Sequence, residues 1–251
     1  MSLHRFFVDG AVAEGTVRIT GSDLHHLRDV LRMREGDEIA VADDGAKQAV
    51  ATLTAVGSAE AIATVSRPLP DIFEPDVTLI QGLSRGPKMD LVMQKVTEIG
   101  IRRITPVVMK RSVVRLDPVE RWERADRWRR IVAEAAKQSQ RATLPKVDEP
   151  VEFDQLDHLL HALDVVLVPW EESAHTGIGE ALRAAGATSA AKVGVVIGPE
   201  GGMETAEVDR LVETGAVPVT LGPPILRTET AGIVAVALAS YELGGLGGAR
   251  R

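Results

Sequence analysis

Two patterns of apolar and polar positions divide the chain. From residue 5 to about 67, short β-like stretches recur at 5–8, 17–20, 38–42, 49–56 and 61–66, separated by Asp-Gly, Gly-Ser and Gly-Asp turn signals. One helix interrupts them. Ser22 suits its N-cap, and Leu24, Leu27 and Leu31 form an apolar stripe at helical spacing. His25, Arg28 and Arg32 fall at i, i+3 and i+7 and so share another face of that helix. A small strand-rich module with one helix is the expectation for this part.

From about residue 76 the period changes. Apolar runs of strand length at 77–81, 104–109, 165–169, 193–197 and 217–221 alternate with helical segments. Pro87 suits the first position of a helix that Gly100 closes. Asp117-Pro118 opens another, in which Trp122, Ala125, Val132 and Ala135 follow a helical period towards the core. A third runs from about 205 to 213, with Gly215 as its stop. Such alternation predicts an α/β fold, a parallel sheet covered by helices on both faces. Arg67-Pro68-Leu69-Pro70-Asp71 reads as the linker, because its prolines stop regular pairing; the expected domains are 1–70 and 71–251. The last helix, from 231 to about 243, is apolar on nearly every side, which requires a core or a subunit interface to bury it.

The runs at 193–197 and 217–221 each lead into a glycine-bearing loop, IGPEGG (Ile197 to Gly202) and LGPPILRTETA (Leu221 to Ala231). Ligands of open α/β sheets bind at the carboxyl ends of strands, where such loops lie. Glycine there removes side chains where backbone can approach a ligand and permits positive φ. Either loop alone reads equally well as an ordinary strand-to-helix turn.

Together, the two loops resemble the carboxy-terminal signature of the RsmE family, 16S ribosomal RNA (uracil-N3)-methyltransferases of the SPOUT superfamily that use S-adenosylmethionine. Three further segments resemble the family in the same order: HHLRDVLRMREGD (25–37), QKVTEIGIRRITPVVMKRSV (94–113) and IVAEAAKQSQR (131–141). The resemblance therefore covers nearly the whole chain. It implies a knotted SPOUT-type parallel sheet, with a carboxy-terminal trefoil knot, preceded by a small PUA-like RNA-binding β-barrel. It also implies a homodimer and a 16S rRNA substrate within the 30S subunit. The chain departs from the family pattern at Met203 and Glu204 after the Gly-Gly pair, and at the stiffer Pro223-Pro224.

In this resemblance the cofactor-binding set is Glu171, Ile197, Gly198, Gly201, Gly202, Leu221, Gly222, Ile225, Leu226, Arg227, Thr230 and Ala231. Leu221, Ile225 and Leu226 supply apolar walls for adenine, and Glu171 accepts from the ribose hydroxyls. A positive sulfonium in place of a pyrophosphate fits a loop that carries Glu200 and no lysine, and the loop is neither GxGxxG nor a Walker sequence. Methylation at N3 of uracil requires loss of the N3 proton. Arg227 is the candidate for stabilising the resulting negative charge, and Glu200 a weaker candidate for taking the proton. Arg227 and Glu229 read alternatively as a local ion pair at a helix start. N3 lies on the Watson–Crick edge, so the uridine must be unpaired or extruded. Phe6, Phe7 and Trp170 are the available stacking platforms. Two rivals stand beside this reading: a non-catalytic ribosome-associated RNA-binding protein, and a SPOUT methyltransferase acting on another RNA position.

Composition narrows these readings. The chain has 251 residues and no cysteine, which excludes disulfides, thiolate nucleophiles and cysteine-ligated zinc. No H-x-x-x-H or acidic cluster points to a metal. No apolar run reaches the roughly 20 residues that span a bilayer, and no secretory leader is read at the start, so a cytoplasmic location is expected. The net charge of −7 opposes a phosphate backbone, but residues 85–115 hold eight basic and two acidic side chains, leaving −13 on the rest. A basic island on an acidic chain is the footprint of a directed RNA contact, although a charge run is more often a solvated face. The expected RNA-binding set is Arg5, His25, Arg28, Arg32, Arg34, Arg85, Lys88, Lys95 and Arg111.

Overall fold

The first alternating region supplies five strands: β1 (Arg5–Phe7), β2 (Thr16–Ile19), β3 (Glu38–Ala42), β4 (Gln48–Val56) and β5 (Ala61–Pro68). They form one sheet in the order β1-β3-β4-β5-β2, with β1 parallel to β3 and the other pairs antiparallel. Inward positions of the alternation, among them Phe6, Val17, Ile19, Ile39, Val41 and Leu53, make its core. The computed structural model describes residues 3–8, 11–43, 45–172 and 176–247. Strand β5 runs further than the linker reading allows. Arg67 and Pro68 still pair with β4, and the Leu69 amide donates to the Gln48 carbonyl at 2.9 Å, so the prolines do not end the strand where expected. Proline's fixed φ suits an extended backbone at a place where its missing N–H is not needed.

The helix of this unit also differs in detail. α1 (Gly21–His25) has Thr20 at its N-cap position, without a side-chain capping bond, so Ser22 lies inside its first turn, and a π-helical turn over His26–Val30 follows. Leu24 and Leu27 are buried as expected. Arg32 lies beyond the helix with a left-handed φ of 55°, so the spacing meant to align it with His25 and Arg28 ends before it.

The chain divides into two compact units, Met1–Phe73 with Ala136–Leu144, and Glu74–Ala135 with Pro145–Arg251. A division at residue 70 leaves 136–144 on the wrong side. The reason is chemical: the buried Arg5 guanidinium donates to Gln48 Oε1 at 2.7 Å and to the Arg141 carbonyl at 3.0 Å, and Lys137 pairs with Asp23.

In the second unit the strands are β6 (Val77–Gly82), β7 (Arg103–Val108), β8 (Lys146–Val147), β9 (Val151–Glu152), β10 (Val165–Pro169), β11 (Val193–Ile197) and β12 (Val217–Val219). They form a parallel sheet ordered β12-β10-β11-β6-β7-β8, with β9 also on β7. Central β6 is buried along its whole length, which explains its continuous apolar run. Strand alternation then assigns the faces. Leu79, Leu167 and Val195 look to one core, Ile80, Val166, Val168 and Val196 to the other.

The first face is covered by α2 (Pro87–Ile99), α3 (Pro118–Gln138), α5 (Ile178–Ala184) and α7 (Thr228–Glu242), and the second by α4 (Asp157–Leu160) and α6 (Thr205–Glu213). α2 begins at Pro87 and stops at Gly100, whose φ of 109° lets its amide reach the Thr97 and Val96 carbonyls. Met89, Val92, Met93 and Val96 share its buried face, each contributing about 1.5–3 kcal/mol by burial. Asp117 and Glu120 close α3 with reciprocal side-chain-to-backbone bonds of 2.9 Å. Trp122 does not join the core and is 55% exposed. Counting back 3.6 residues from buried Ala125 falls nearer Arg121, which takes the inward place and donates to the Leu116 and Pro150 carbonyls; Trp128 is the buried tryptophan.

Candidate active site

Neighbouring β6 and β11 send their following helices to opposite faces of the sheet, α2 to one and α6 to the other. This reversal is where ligands of open parallel sheets bind, beyond the carboxyl ends of the strands. The second unit has a cleft there of about 430 Å³, lined by Lys88 after β6, Trp170 and Glu171 after β10, residues 198–203 after β11 and residues 220–228 after β12. That volume lies within the usual range for small-molecule sites.

Close backbone approach explains the glycines. A Cβ on Gly82, the last residue of β6, would sit 2.4 Å from the Pro199 nitrogen, so the loop after β11 rests directly on β6. Gly201 abuts Arg111, whose Cβ would lie 3.0 Å away and whose guanidinium donates to the Gly201 carbonyl at 3.2 Å. Gly202 and Gly222 have φ of 72° and 102°, which other residues rarely adopt. Behind the loop, Met203 is buried, and Glu204 caps α6 in a capping box with Glu207. The two departures at Met203 and Glu204 therefore serve the core and a helix start.

A buried polar relay joins the end of β6 to the two glycine loops. Gln81 Nε2 donates to Thr228 Oγ1 at 2.9 Å, and Thr228 Oγ1 donates to the Gly198 carbonyl at 2.5 Å. A short cluster of charge lies beside it. Lys88 Nζ stands 3.4 Å from Glu200 Oε1 and 3.6 Å from Glu229 Oε2. Glu200 Oε1 also accepts the Arg85 amide at 3.0 Å. Partial burial pushes the Glu200 carboxyl up, but the Arg85 amide, its own amide and Lys88 outweigh that and hold it below the ordinary glutamate range.

The chain has counterparts among known proteins. Residues 73–240 match the family model for an RNA methyltransferase domain, and residues 19–66 that for an RNA methyltransferase PUA domain. The chain is 36% identical over 235 residues to a protein named ribosomal RNA small subunit methyltransferase E from Bacillus subtilis, covering 90% of each. The chain belongs to the RNA methyltransferase family. A protein of the same name from Mycobacterium tuberculosis is 32% identical over 238 residues, covering 92% of this chain and 88% of that one. Among solved structures, ribosomal RNA small subunit methyltransferase E from Neisseria gonorrhoeae, bound to S-adenosyl methionine, superposes with a TM-score of 0.81 at 33% identity, covering 95% and 97% of the two chains. A putative methyltransferase from Legionella pneumophila with bound SAM gives 0.82 at 26% identity, over 96% and 98%. The expected fold, a SPOUT-type parallel sheet covered by helices and preceded by a PUA-like β module, is the one observed.

Against this family background the expected cofactor set is brought together with one exception. Glu171, Ile197, Gly198, Gly201, Gly202, Leu221, Gly222, Ile225, Leu226, Arg227 and Ala231 all line the cleft, while Thr230 does not. Ile225, although apolar, is 83% exposed where it lines the cleft. Arg227 is exposed, and among the described residues no carboxylate pairs with it; Glu229 faces Lys88 instead, so the alternative Arg227–Glu229 pair does not form.

The expected RNA set is dispersed. Arg5 is a correction: it is 7% exposed and cross-ties the first unit, so it does not reach a phosphate. Phe6 is a second correction, being buried in the core and unable to stack on a base. His25 and Arg28 both bind Asp29, at 2.6 Å and 2.8–2.9 Å, and this holds the Asp29 carboxyl down at about 2. Arg32 and Arg34 are exposed on the same unit. In the second unit Arg85 is exposed, Lys95 pairs with Glu98, Arg111 supports the Gly201 loop, and Lys88 lines the cleft. Sequence reasoning missed Gln81, Thr228 and the inward role of Lys88. A polar Gln near the end of a largely apolar strand was the one available signal.

Proposed function

We propose that this protein transfers the methyl group of S-adenosylmethionine to N3 of a uridine in 16S ribosomal RNA, with the 30S subunit as substrate. The observation that carries this reading is convergence. The IGPEGG and LGPPILRTETA loops, separate in sequence, line one cleft in a chain whose relatives are named ribosomal RNA small subunit methyltransferases. The cleft suits the cofactor: Leu221, Ile225 and Leu226 offer apolar walls, glycine backbone is open to hydrogen bonding, and Glu171 and Glu200 supply negative charge for a sulfonium and hydroxyls. When bound, the cofactor supplies an electrophilic methyl group.

The chain's own residues orient and stabilise. Arg227 stands at the cleft, unpaired among the described residues, and we assign it to the negative charge that develops on the uracil once N3 loses its proton. Glu200 is a poor proton acceptor, because its carboxyl is held below its ordinary range, and its work is to bind the Arg85 amide and Lys88. The exposed Arg32, Arg34 and Arg85 are assigned to phosphate contacts. A homodimer, a trefoil knot formed by the segments around β11, β12 and α7, and a cytoplasmic location complete the reading.

The test is transfer of labelled methyl from S-adenosylmethionine to 30S subunits lacking the modification, with free 16S RNA and transfer RNA alongside. N3-methyluridine from 30S alone supports the whole reading. Label in transfer RNA, or another nucleoside, overturns the substrate. Subunit binding without any label supports the non-catalytic rival.

A further inference from the structure

Lys88 lines the cleft with Glu200, while Glu229 lies behind it, and these three side chains carry a net charge of −1. The lysine contacts, 3.4 and 3.6 Å, are longer than the 2.7–3.2 Å of normal N–H···O hydrogen bonds. Glu229 Oε2 is buried and has no hydrogen-bond partner among the described residues. Apart from the Arg85 amide bond to Glu200, Lys88 therefore meets the two carboxylates mainly through charge, and its effect on a ligand is electrostatic. The other charged groups of the cleft, Glu171 and Arg227, are exposed and screened by water.

This matters because methyl transfer changes the charge of the ligand. After N3 has given its proton to water, the methyl carbon would leave sulfur without its bonding electrons and bond to the N3 electron pair, and the S–C electron pair would return to sulfur. A sulfonium becomes a neutral thioether. Negative charge near the cleft favours the first over the second, and an added positive charge reduces that preference.

We propose that Lys88 sets the charge of the cleft: by offsetting one of the two carboxylates of Glu200 and Glu229, it limits how strongly the site prefers the cationic methyl donor over its neutral product. The inference rests on the S-adenosylmethionine reading above. Neutralising the lysine leaves two uncompensated carboxylates, and neutralising Glu229 leaves a lysine balanced by one. The two changes act in opposite directions, which loss of packing cannot imitate. A full charge several ångströms away in partly wet surroundings alters a binding ratio about tenfold.

The experiment is calorimetric titration of S-adenosylmethionine and S-adenosylhomocysteine into wild type, K88M, K88R and E229Q at pH 8. The expected result is a donor-to-product affinity ratio raised about tenfold in K88M, lowered about tenfold in E229Q and unchanged in K88R. Equal weakening of both ligands, or a ratio that moves the same way in K88M and E229Q, overturns the proposal while leaving the cofactor reading intact. Failure of wild type to bind either ligand removes the cofactor reading and the proposal with it.

Discussion

Thr228 Oγ1 donates to the Gly198 carbonyl at 2.5 Å and accepts from Gln81 Nε2 at 2.9 Å, so one hydroxyl ties the start of α7 to the loop after β11 and to the end of β6. Gln81 is fully buried and Thr228 nearly so. Thr228→Val keeps the shape, leaves the Gly198 carbonyl without its donor and leaves Gln81 Nε2 with only its 3.3 Å bond to the Gly82 carbonyl, which costs about 1–3 kcal/mol. The expected outcome is a lower denaturation midpoint and weaker S-adenosylmethionine binding, with Thr228→Ser close to wild type. Denaturant titration and calorimetry check both. A Val variant as stable as wild type would remove the relay from the account.

Gly82 and Gly201 tolerate a methyl group differently. At Gly82 the added carbon meets backbone, with Pro199 nitrogen at 2.4 Å and Gly198 carbon at 2.7 Å, and neither can yield without moving the loop. At Gly201 the nearest atoms are Arg111 Cβ at 3.0 Å and the Arg111 carbonyl oxygen at 3.2 Å, tight contacts that a shift of a few tenths of an ångström relieves. Gly82→Ala is therefore expected to cost 1–3 kcal/mol or more (roughly the range for overpacked cores) and to abolish cofactor binding. Gly201→Ala is expected to cost less and to weaken binding. Thermal unfolding of the two variants in parallel gives the order.

Arg227 and Glu200 separate in a pH–rate experiment. Arg227→Ala is expected to lower kcat by about 10²–10³ with cofactor affinity within a few-fold of wild type, as for loss of a preorganised charge stabiliser. Glu200→Gln is expected to lose far less kcat. The Glu200 carboxyl already lies below its ordinary range, so the neutral-to-alkaline part of the profile does not follow its titration. Its contribution to loop stability is present above the unfolded glutamate pKa and is lost as pH falls through the lower folded value. A flat acid limb in wild type that stays unchanged in Glu200→Gln contradicts that role.

Asp29 holds both His25 and Arg28, and its carboxyl titrates at about 2. Because the folded pKa is depressed, this interaction is present above the unfolded aspartate range and is lost only as pH falls towards 2. At neutral pH Asp29 therefore offsets the Arg28 guanidinium that a phosphate would otherwise meet. Asp29→Asn is expected to strengthen RNA binding several-fold and to steepen its salt dependence by about 0.7–0.9 for each additional phosphate neutralised. Filter binding at several salt concentrations reads both. Unchanged affinity and slope would show that this helix does not face RNA.

The order and type of the main elements were legible in the chain, because they depend on local chemistry. Pro87 and Gly100 bound α2, Asp117 caps α3, and runs such as Val193 to Ile197 alternate with helical periods. The two glycine loops were legible too, since only glycine readily accepts the φ at Gly202 and Gly222. What the chain alone did not reveal depends on which distant groups meet. Arg5 looks like a surface cation, yet it is buried because Gln48 and the Arg141 carbonyl, 43 and 136 residues away, receive its donors. Lys88 reads as one member of a basic island until β6 and β11 become neighbours and bring Glu200 to it, and α7 packs on α2 and brings Glu229. Trp122 and Trp128 are equivalent by hydropathy, and the helix phase decides that only Trp128 is buried. Local propensity and pattern act through the nearest few residues, and so they are written along the sequence. The partner of a buried charge or a relay hydroxyl is set by strand order, and that exists only in the folded chain.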